Sequence, residues 1–176
     1  MFRILRKEGE RQMTIIKSLL ENNSVVLNTV GNGSMLSVGD SFSGLSRALG
    51  LSPDRVIEEI KRSGLRGRGG AGYPTGLKWR QCADEAKNGE SYVVANALDS
   101  DQRAPIGRFL AEECPMALIE GVMLAAYAVG AKKAYVCINE GYDKAAERLK
   151  EAAEKAKAAV PGIDTEIEFL KLKSEL

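Results

Sequence analysis

The pattern of apolar and polar residues divides the chain into an N-terminal segment and a longer body. In residues 1–40, the apolar spacing from Thr14 to Leu20 predicts a short helix, and the run from Val25 to Val30 predicts a strand. From residue 41 onward, apolar runs of strand length and of helix length alternate. We therefore predict a small helical N-terminal segment, residues 1–40, followed by an α/β domain, residues 41–176.

The body carries clear helix and strand signals. Ser52 suits an N-cap, Pro53 suits the first turn of a helix, and Asp54 places an acid near the positive end of the helix dipole. Residues 97–111 are polar, and we predict that they are irregular. The periodicity predicts helices over 53–62, 77–86, 115–130 and 142–159, and strands over 91–96, 134–138 and 165–170.

Strands and helices that alternate with short connections form βαβ units, and right-handed crossovers turn these units into a parallel sheet. The predicted fold class is therefore α/β, with a mostly parallel sheet. Ligands of such sheets bind beyond the carboxyl ends of the strands. The loop after Asn96 and the turn after Asn139 are thus candidate ligand positions.

Composition restricts the chemistry that the chain can perform. Of the 176 residues, 44% are hydrophobic and 28% are charged, and the net charge of +1 gives no strong field that would favour nucleic acid. The chain has no histidine, which excludes Ser-His and Cys-His nucleophiles and imidazole metal ligands. We expect no catalytic side chain and no metal site, so a bound cofactor would supply any redox step.

The cysteines and the apolar runs indicate where in the cell the protein is expected. Cys82, Cys114 and Cys137 are far apart, so they form no zinc or iron–sulfur motif within this chain, and we interpret them as reduced thiols. The charged start does not fit a signal peptide, and no apolar run approaches the roughly 20 residues of a membrane span. We expect a cytoplasmic protein without direct membrane insertion.

A glycine-rich, basic stretch carries the strongest functional signal. Six glycines lie between Gly64 and Gly76, and the residues from Gly67 to Gly72 satisfy G-x-G-x-x-G. A helix precedes this motif and Tyr73-Pro74 follows it, which argues against a Rossmann fingerprint. Glycine-loop amides beside cations favour a phosphate site, and the alternative is a solvated turn near an incidental basic face. The bases in the window 61–80, which holds no acid, are Lys61, Arg62, Arg66, Arg68, Lys78 and Arg80.

The stretch from Ser63 to Trp79 resembles the flavin-loop signature of the FMN- and NADH-binding subunit of respiratory complex I and its relatives in NAD-linked hydrogenases and formate dehydrogenases. The resemblance extends from about Phe42 to the last strand, and it implies a flavin-binding domain that uses FMN and NAD. It also implies that Tyr73 takes the place of a phenylalanine that stacks on the nicotinamide. By the same resemblance, Gly67, Arg68, Gly69 and Gly70 lie along the flavin and its phosphate, with Lys78 nearby.

The chain departs from this family after the predicted strand at 91–96. Asn96 is retained, Asp99 and Asp101 stand at two positions where the family has glutamates, and Leu98 replaces an aspartate. The sequence ends at Leu176, before the family's second flavin loop and its cysteine-rich iron–sulfur region. The predicted cofactor-binding residues are Gly67, Arg68, Gly69, Gly70, Tyr73, Lys78, Asn96, Asp99 and Asp101.

The resemblance implies a subunit or domain of an NADH-linked flavoprotein oxidoreductase. Such a subunit binds FMN and passes electrons from NADH to iron–sulfur clusters in partner chains. Two alternatives remain open: a catalytically inactive scaffold or assembly subunit, and one half of a flavin site that a partner chain completes. Whether the chain is active by itself also remains open.

Overall fold

The computed structural model describes residues 42–68, 70–99 and 105–173, within a compact unit that starts at Ser41. Its helices are α1 (Ser43–Leu49), α2 (Pro53–Arg62), α3 (Thr75–Glu85), α4 (Ile106–Glu113), α5 (Pro115–Val129) and α6 (Asp143–Ala159), with a 3₁₀ turn at Ala86–Asn88. Its strands are β1 (Tyr92–Ala97), β2 (Lys133–Asn139) and β3 (Glu166–Leu172).

The three strands form a parallel sheet in the order β1-β2-β3. Helices α4 and α5 connect β1 to β2, and α6 connects β2 to β3. The register pairs Ala97 of β1 with Ile138 of β2, and Asn139 of β2 with Leu172 of β3. The carboxyl ends of the strands therefore lie side by side, and the predicted α/β class is confirmed.

The main core lies between one face of the sheet and helices α5 and α6. Val136 and Ile138 of β2 are fully buried against Ile119 and Met123 of α5 and Leu149 of α6. Small residues line the side of α6 that faces the core, so this helix packs closely against the core. These residues are Ala145, Ala146, Ala152, Ala153 and Ala156. Burial of these apolar side chains supplies the main stabilisation of the unit.

Helices α2 and α3 form a tight pair beside the C-terminal half of α5. A Cβ built on Gly76 would lie 2.4 Å from Cγ and 2.7 Å from the backbone N of Lys61, so only glycine allows this approach. Arg80 of α3 bonds Asp54 of α2 at 2.5 Å, and Trp79 packs toward α5 and Val93. The segment between the two helices is thereby held at both ends.

Most sequence predictions agree with the structure. The Ser52 side chain caps α2 by accepting from the backbone N of Arg55 at 3.3 Å, and Gly130 ends α5 with a φ of 73°. The prediction that residues 97–111 are irregular is wrong for the part that forms α4. The N-terminus of α4 is capped by Asp99, which lies several residues before the helix. The predicted helix and strand in residues 1–40, and the domain boundary there, lie outside the described residues. None of the described helices is long and apolar enough to cross a membrane.

Candidate functional site

The glycine loop, residues 63–74, joins α2 to α3 and is closed by backbone hydrogen bonds. The Gly67 amide donates to the Tyr73 carbonyl at 2.9 Å, and the Thr75 amide donates to the Leu65 carbonyl at 2.9 Å. Between these bonds, Arg66 forms an antiparallel bridge with Pro74. The two ends of the loop are thus fastened together, while its centre projects from the closure.

The centre of the loop needs glycine for conformation rather than for space. Gly70 has a φ of 105° and Gly72 a φ of 59°, values that L side chains rarely adopt. A Cβ at either position would meet nothing within 4 Å. Within the described part of the chain, the amides of Arg68, Gly70, Ala71 and Gly72 donate to no partner. Successive free amides in such a turn form a concave site for an anion.

The start of α3 adds to this anion-binding character. Pro74 provides no side-chain cap, and the first turn of α3 contains no acid. The positive end of the helix dipole is therefore not neutralised by the helix itself. Lys78, in the same first turn, is exposed.

The basic residues around the loop divide into three groups. Lys61, Arg62 and Arg80 form ion pairs with acids of α2, namely Glu58, Glu59 and Asp54. Arg66 instead donates to the Gly72 carbonyl at 2.9 Å and braces the loop. Arg68 and Lys78 are exposed and form no ion pair with any described acid, so they are the cations available to a ligand.

Apolar side chains border the same loop. Tyr73, Leu65 and Leu77 are 41%, 48% and 44% exposed, and the Tyr73 hydroxyl donates to the Gln81 side chain at 3.4 Å. Leu77 lies in the first turn of α3, and Tyr73 lies in the loop directly before the N-cap residue Pro74. A planar aromatic ligand with a phosphate therefore finds cations, free amides and apolar surface in one place.

The end of β1, residues 96–99, presents a different environment. Asn96 is exposed, and its side-chain oxygen accepts from the Leu98 amide at 2.9 Å. Asp99 is only 8% exposed. Its two carboxylate oxygens accept from the amides of Gly107 and Arg108 at 2.7 and 3.0 Å, so the side chain caps the N-terminus of α4.

The contact between Asp99 and α4 is close and specific. A Cβ on Gly107 would lie 3.0 Å from both the Ala97 carbonyl oxygen and the Asp99 carboxylate. Tyr142, which follows β2, faces the same carboxylate, and burial followed by the charge of Asp99 raises the pKa of Tyr142. The sequence did not single out Gly107 or Tyr142. A glycine two residues after Pro105 was the available signal for Gly107.

A charged network continues from this cap to α6. The Arg108 guanidinium lies 5.3 Å from the Tyr142 ring centre, and its Nε donates to Glu112 at 2.7 Å. Lys144 pairs with the other Glu112 oxygen at 3.1 Å, and Arg148 donates to the Glu112 carbonyl. Burial raises the pKa of Glu112, but Arg108 and Lys144 together outweigh it and lower that pKa. The network ties α4 to α6.

The predicted site residues therefore fall into two groups. Gly67, Arg68, Gly70, Tyr73 and Lys78 lie in the glycine loop and the first turn of α3, whereas Asn96 and Asp99 lie at the end of β1. Among the described residues, no hydrogen bond or ion pair links the two groups. Gly69 and Asp101 lie outside the described residues, and their roles stay predictions from the sequence.

The sequence matches the family described as "Nuo51 FMN-binding domain" over residues 60–175, which is about two thirds of the chain. This chain belongs to that FMN-binding domain family. The match begins within α2, spans the glycine loop and includes all three strands of the sheet. The segment that the family model covers therefore contains the free amides and the two available cations of the loop.

Curated relatives are subunits of larger enzymes. The chain is 39% identical to the F subunit of NADH-quinone oxidoreductase from Aquifex aeolicus over 116 residues, which cover 66% of this chain and 27% of that protein. It is 36% identical to the corresponding protein of Escherichia coli K12 over 121 residues, covering 68% and 27%. It is 39% identical to HndC, a subunit of the NADP-reducing hydrogenase of Solidesulfovibrio fructosivorans, over 116 residues, covering 66% and 23%.

A solved structure supports the same relationship. The crystal structure of an NAD⁺-reducing [NiFe]-hydrogenase in its H₂-reduced state superposes with a TM-score of 0.68 at 29% identity, covering 85% of this chain and 25% of the hydrogenase chain. The chain spans about a quarter of the length of the proteins it matches. The resemblance to the flavin-loop family is confirmed, whereas the roles of individual site residues remain predictions.

Proposed function

We propose that this chain is the FMN-binding component of an NADH-linked oxidoreductase and that it operates with iron–sulfur electron-transfer subunits in the cytoplasm. The observation that carries the proposal is the glycine loop, with its free amides and its two available cations, in a chain of the FMN-binding domain family. When bound, FMN would supply hydride acceptance and one-electron release. The chain itself would supply binding and orientation.

The loop residues fit the phosphate of FMN. The free amides of Arg68 and Gly70 would contact the phosphate, and the side chains of Arg68 and Lys78 would add charge-assisted contacts. That Gly67 and Gly69 also lie along the flavin and its phosphate is a proposal from the sequence resemblance. The exposed ring of Tyr73 is available for stacking on a planar ring system. Asn96 would contribute its side-chain NH₂ group at the carboxyl end of β1, because its side-chain oxygen already accepts from the Leu98 amide. Asp101 remains a proposed contact from the sequence resemblance.

The hydrogen bonds of Asp99 bear on the choice between this proposal and its main alternative, a scaffold or assembly role. Both carboxylate oxygens are engaged by α4, and Leu98 stands where the family has an aspartate, so this strand end offers less to a flavin ring than the family pattern does. These observations favour a scaffold or assembly role as the second candidate. The third candidate, a flavin site that a partner completes, predicts FMN binding only in the complex.

Titration of FMN fluorescence with the full chain tests the proposal. We expect quenching with saturable binding, and we expect Arg68→Gln and Lys78→Gln to weaken it by roughly threefold to thirtyfold each, the loss of one charge-assisted hydrogen bond. Because both side chains are exposed, the variants should melt at the wild-type temperature.

The matched controls are Arg55→Gln and Lys150→Gln, which remove exposed cations elsewhere on the chain. They should leave FMN affinity unchanged. Absence of binding at millimolar FMN would favour the scaffold, whereas binding restored by iron–sulfur subunits would favour the shared site. Loss of the visible absorbance of the bound flavin on addition of NADH would then test the electron-transfer role separately.

A further inference from the structure

Arg66 lies where the two ends of the glycine loop meet, and it holds the returning part of the loop in two ways. Its backbone pairs with Pro74 in the antiparallel bridge. Its side chain reaches further into the loop, where Nη1 donates to the Gly72 carbonyl at 2.9 Å. The backbone and the side chain of one residue therefore hold the same short segment, residues 72–74.

The bond from Arg66 fixes the peptide group between Gly72 and Tyr73. No described peptide bond is cis, and in a trans peptide the carbonyl and the N–H point in opposite directions. Because the Gly72 carbonyl faces the Arg66 guanidinium, the Tyr73 amide faces away from it. Gly72 has a φ of 59°, in a region that glycine reaches freely. The side-chain bond thus selects one of several conformations that are open to this glycine.

A loop with so many glycines gains much from such a bond. Glycine loses more conformational freedom on folding than any other residue, and a ligand that must first order a loop binds less tightly. The bonds from Gly67 to Tyr73 and from Thr75 to Leu65 fasten only the ends of the loop. The Arg66 side chain extends this order to Gly72, next to the amides that we propose as phosphate donors.

Arg66 and Arg68 are exposed arginines of the same loop with different surroundings. The Arg66 guanidinium is bonded to a carbonyl of its own loop, and its positive charge strengthens that bond. Arg68 lies in the projecting centre, between the residues that close the loop. The same residue type therefore has a place in the framework of the loop at 66 and a place facing the solvent at 68.

We propose that Arg66 is a positioning residue, which holds the glycine loop in its anion-binding conformation through the Gly72 carbonyl and is not itself a ligand of the phosphate. The inference rests on the proposed function for the identity of the anion, FMN. The brace itself is a property of the ligand-free chain, so the two can be tested apart.

Amide hydrogen exchange of the ligand-free full chain, followed by NMR, tests the brace. Arg66→Gln should speed the exchange of the Gly67 and Thr75 amides, whose bonds close the loop, at least about threefold. Arg68→Gln should leave both rates unchanged. Because Arg66 is exposed, its variant should keep the wild-type melting temperature. Equal exchange in the wild type and in Arg66→Gln would overturn the proposal, whatever the result with a ligand.

Fluorescence titration tests the consequence for binding. Arg66→Gln should weaken FMN roughly threefold to tenfold, because the loop must then be ordered by the ligand. Riboflavin lacks the phosphate, and its affinity should change by less than about twofold if the effect is confined to the phosphate site. Equal losses for FMN and riboflavin would contradict a role at the phosphate site. If the wild-type chain binds no FMN, the proposed function fails, and the exchange rates still decide whether Arg66 holds the loop.

A double-mutant cycle separates the brace from a direct contact. Gly72→Ala displaces the same carbonyl, because an L side chain is strained at this φ. In the Gly72→Ala background, Arg66→Gln should weaken FMN by less than about twofold further, since its effect passes through Gly72. An undiminished loss there would show that Arg66 contacts the phosphate directly, and it would overturn the proposal.

Arg62→Gln is the matched control for the loss of one positive charge near the loop. The Arg62 side chain is 72% exposed at the end of α2 and pairs with Glu59 rather than with the loop. This variant should change neither the exchange of the Gly67 amide nor the affinity for FMN. Effects equal to those of Arg66→Gln would show that charge alone is responsible, which would also overturn the proposal.

Discussion

The glycine loop and the end of β1 both contain predicted cofactor-binding residues, yet they use their polar groups in opposite ways. In the loop, the amides around Gly70 and the side chains of Arg68 and Lys78 remain available to a ligand. At the end of β1, the Asp99 carboxylate is buried and already accepts two amides from α4. Resemblance to one family therefore covers two regions with different physical roles.

The difference shows what each kind of site requires of the chain. A phosphate site made of backbone amides requires only that the backbone keep its conformation, which the glycines and the closed loop ensure. A side chain that binds a ligand must also keep an accessible donor or acceptor position that the protein does not use. The chain meets the first condition at the loop. At the end of β1 the Asp99 carboxylate already caps α4, and its role toward a cofactor stays a prediction.

The largest expected effect comes from the packing behind the loop. Gly76→Ala would place a methyl group against the backbone and Cγ of Lys61, so α2 and α3 would have to separate. We expect the free energy of unfolding to fall by about 3 kcal/mol, the upper range for overpacking. Urea denaturation measures this loss, and FMN binding should fall with it because the loop ends would move.

Gly121→Ala is the control for that prediction. Gly121 is exposed within α5, and a Cβ there meets nothing within 4 Å. The change should raise the free energy of unfolding by roughly 0.5–1 kcal/mol, because alanine favours a helix over glycine. If Gly76→Ala were equally harmless, the loop would not depend on the approach of α2 and α3.

Asp99→Asn tests the end of β1, the second region of the comparison. The amide can accept from one α4 amide, but its NH₂ group would face the second, so we expect a loss of about 2 kcal/mol in unfolding free energy. The FMN affinity of the folded protein should change by less than about threefold. An FMN affinity at least about tenfold weaker with unchanged stability would show instead that Asp99 is a ligand. Glu151→Gln, an exposed acid on α6, is the matched control for the loss of a carboxylate.

Much of the fold could be predicted because its signals are local. Ser52 and Pro53 mark the start of α2, the apolar runs mark the three strands, and the glycines mark the loop. Helix α4 could not be predicted, because its N-terminus is capped by Asp99 from eight and nine residues earlier in the chain. A short segment stabilised by such a distant contact carries little periodicity of its own.

The exposure of Tyr92 and Val94 could not be predicted from the sequence either. Tyr92 and Val94 are apolar strand residues like the half-buried Val93 and Ala95, and among the described residues both crossovers return on the side of Val93 and Ala95. The separation of the candidate site into two groups has the same origin. Motif positions specify residue types, whereas the partners that occupy a carboxylate depend on tertiary structure.

The smallest expected effect concerns the acid dependence of the two regions. The folded-state pKa of Glu112 is lowered by Arg108 and Lys144 despite burial, so its contribution to stability is present above the ordinary value of 4.5 and is lost as pH falls through the lower folded value. We expect Glu112→Gln to cost roughly 1 kcal/mol at pH 7 and progressively less below about pH 4.5. Unfolding by urea between pH 3 and pH 7 measures this difference. Arg68→Gln in the loop should leave the same pH profile unchanged, since Arg68 pairs with no described acid, and a parallel change in both variants would refute the contrast between the two regions.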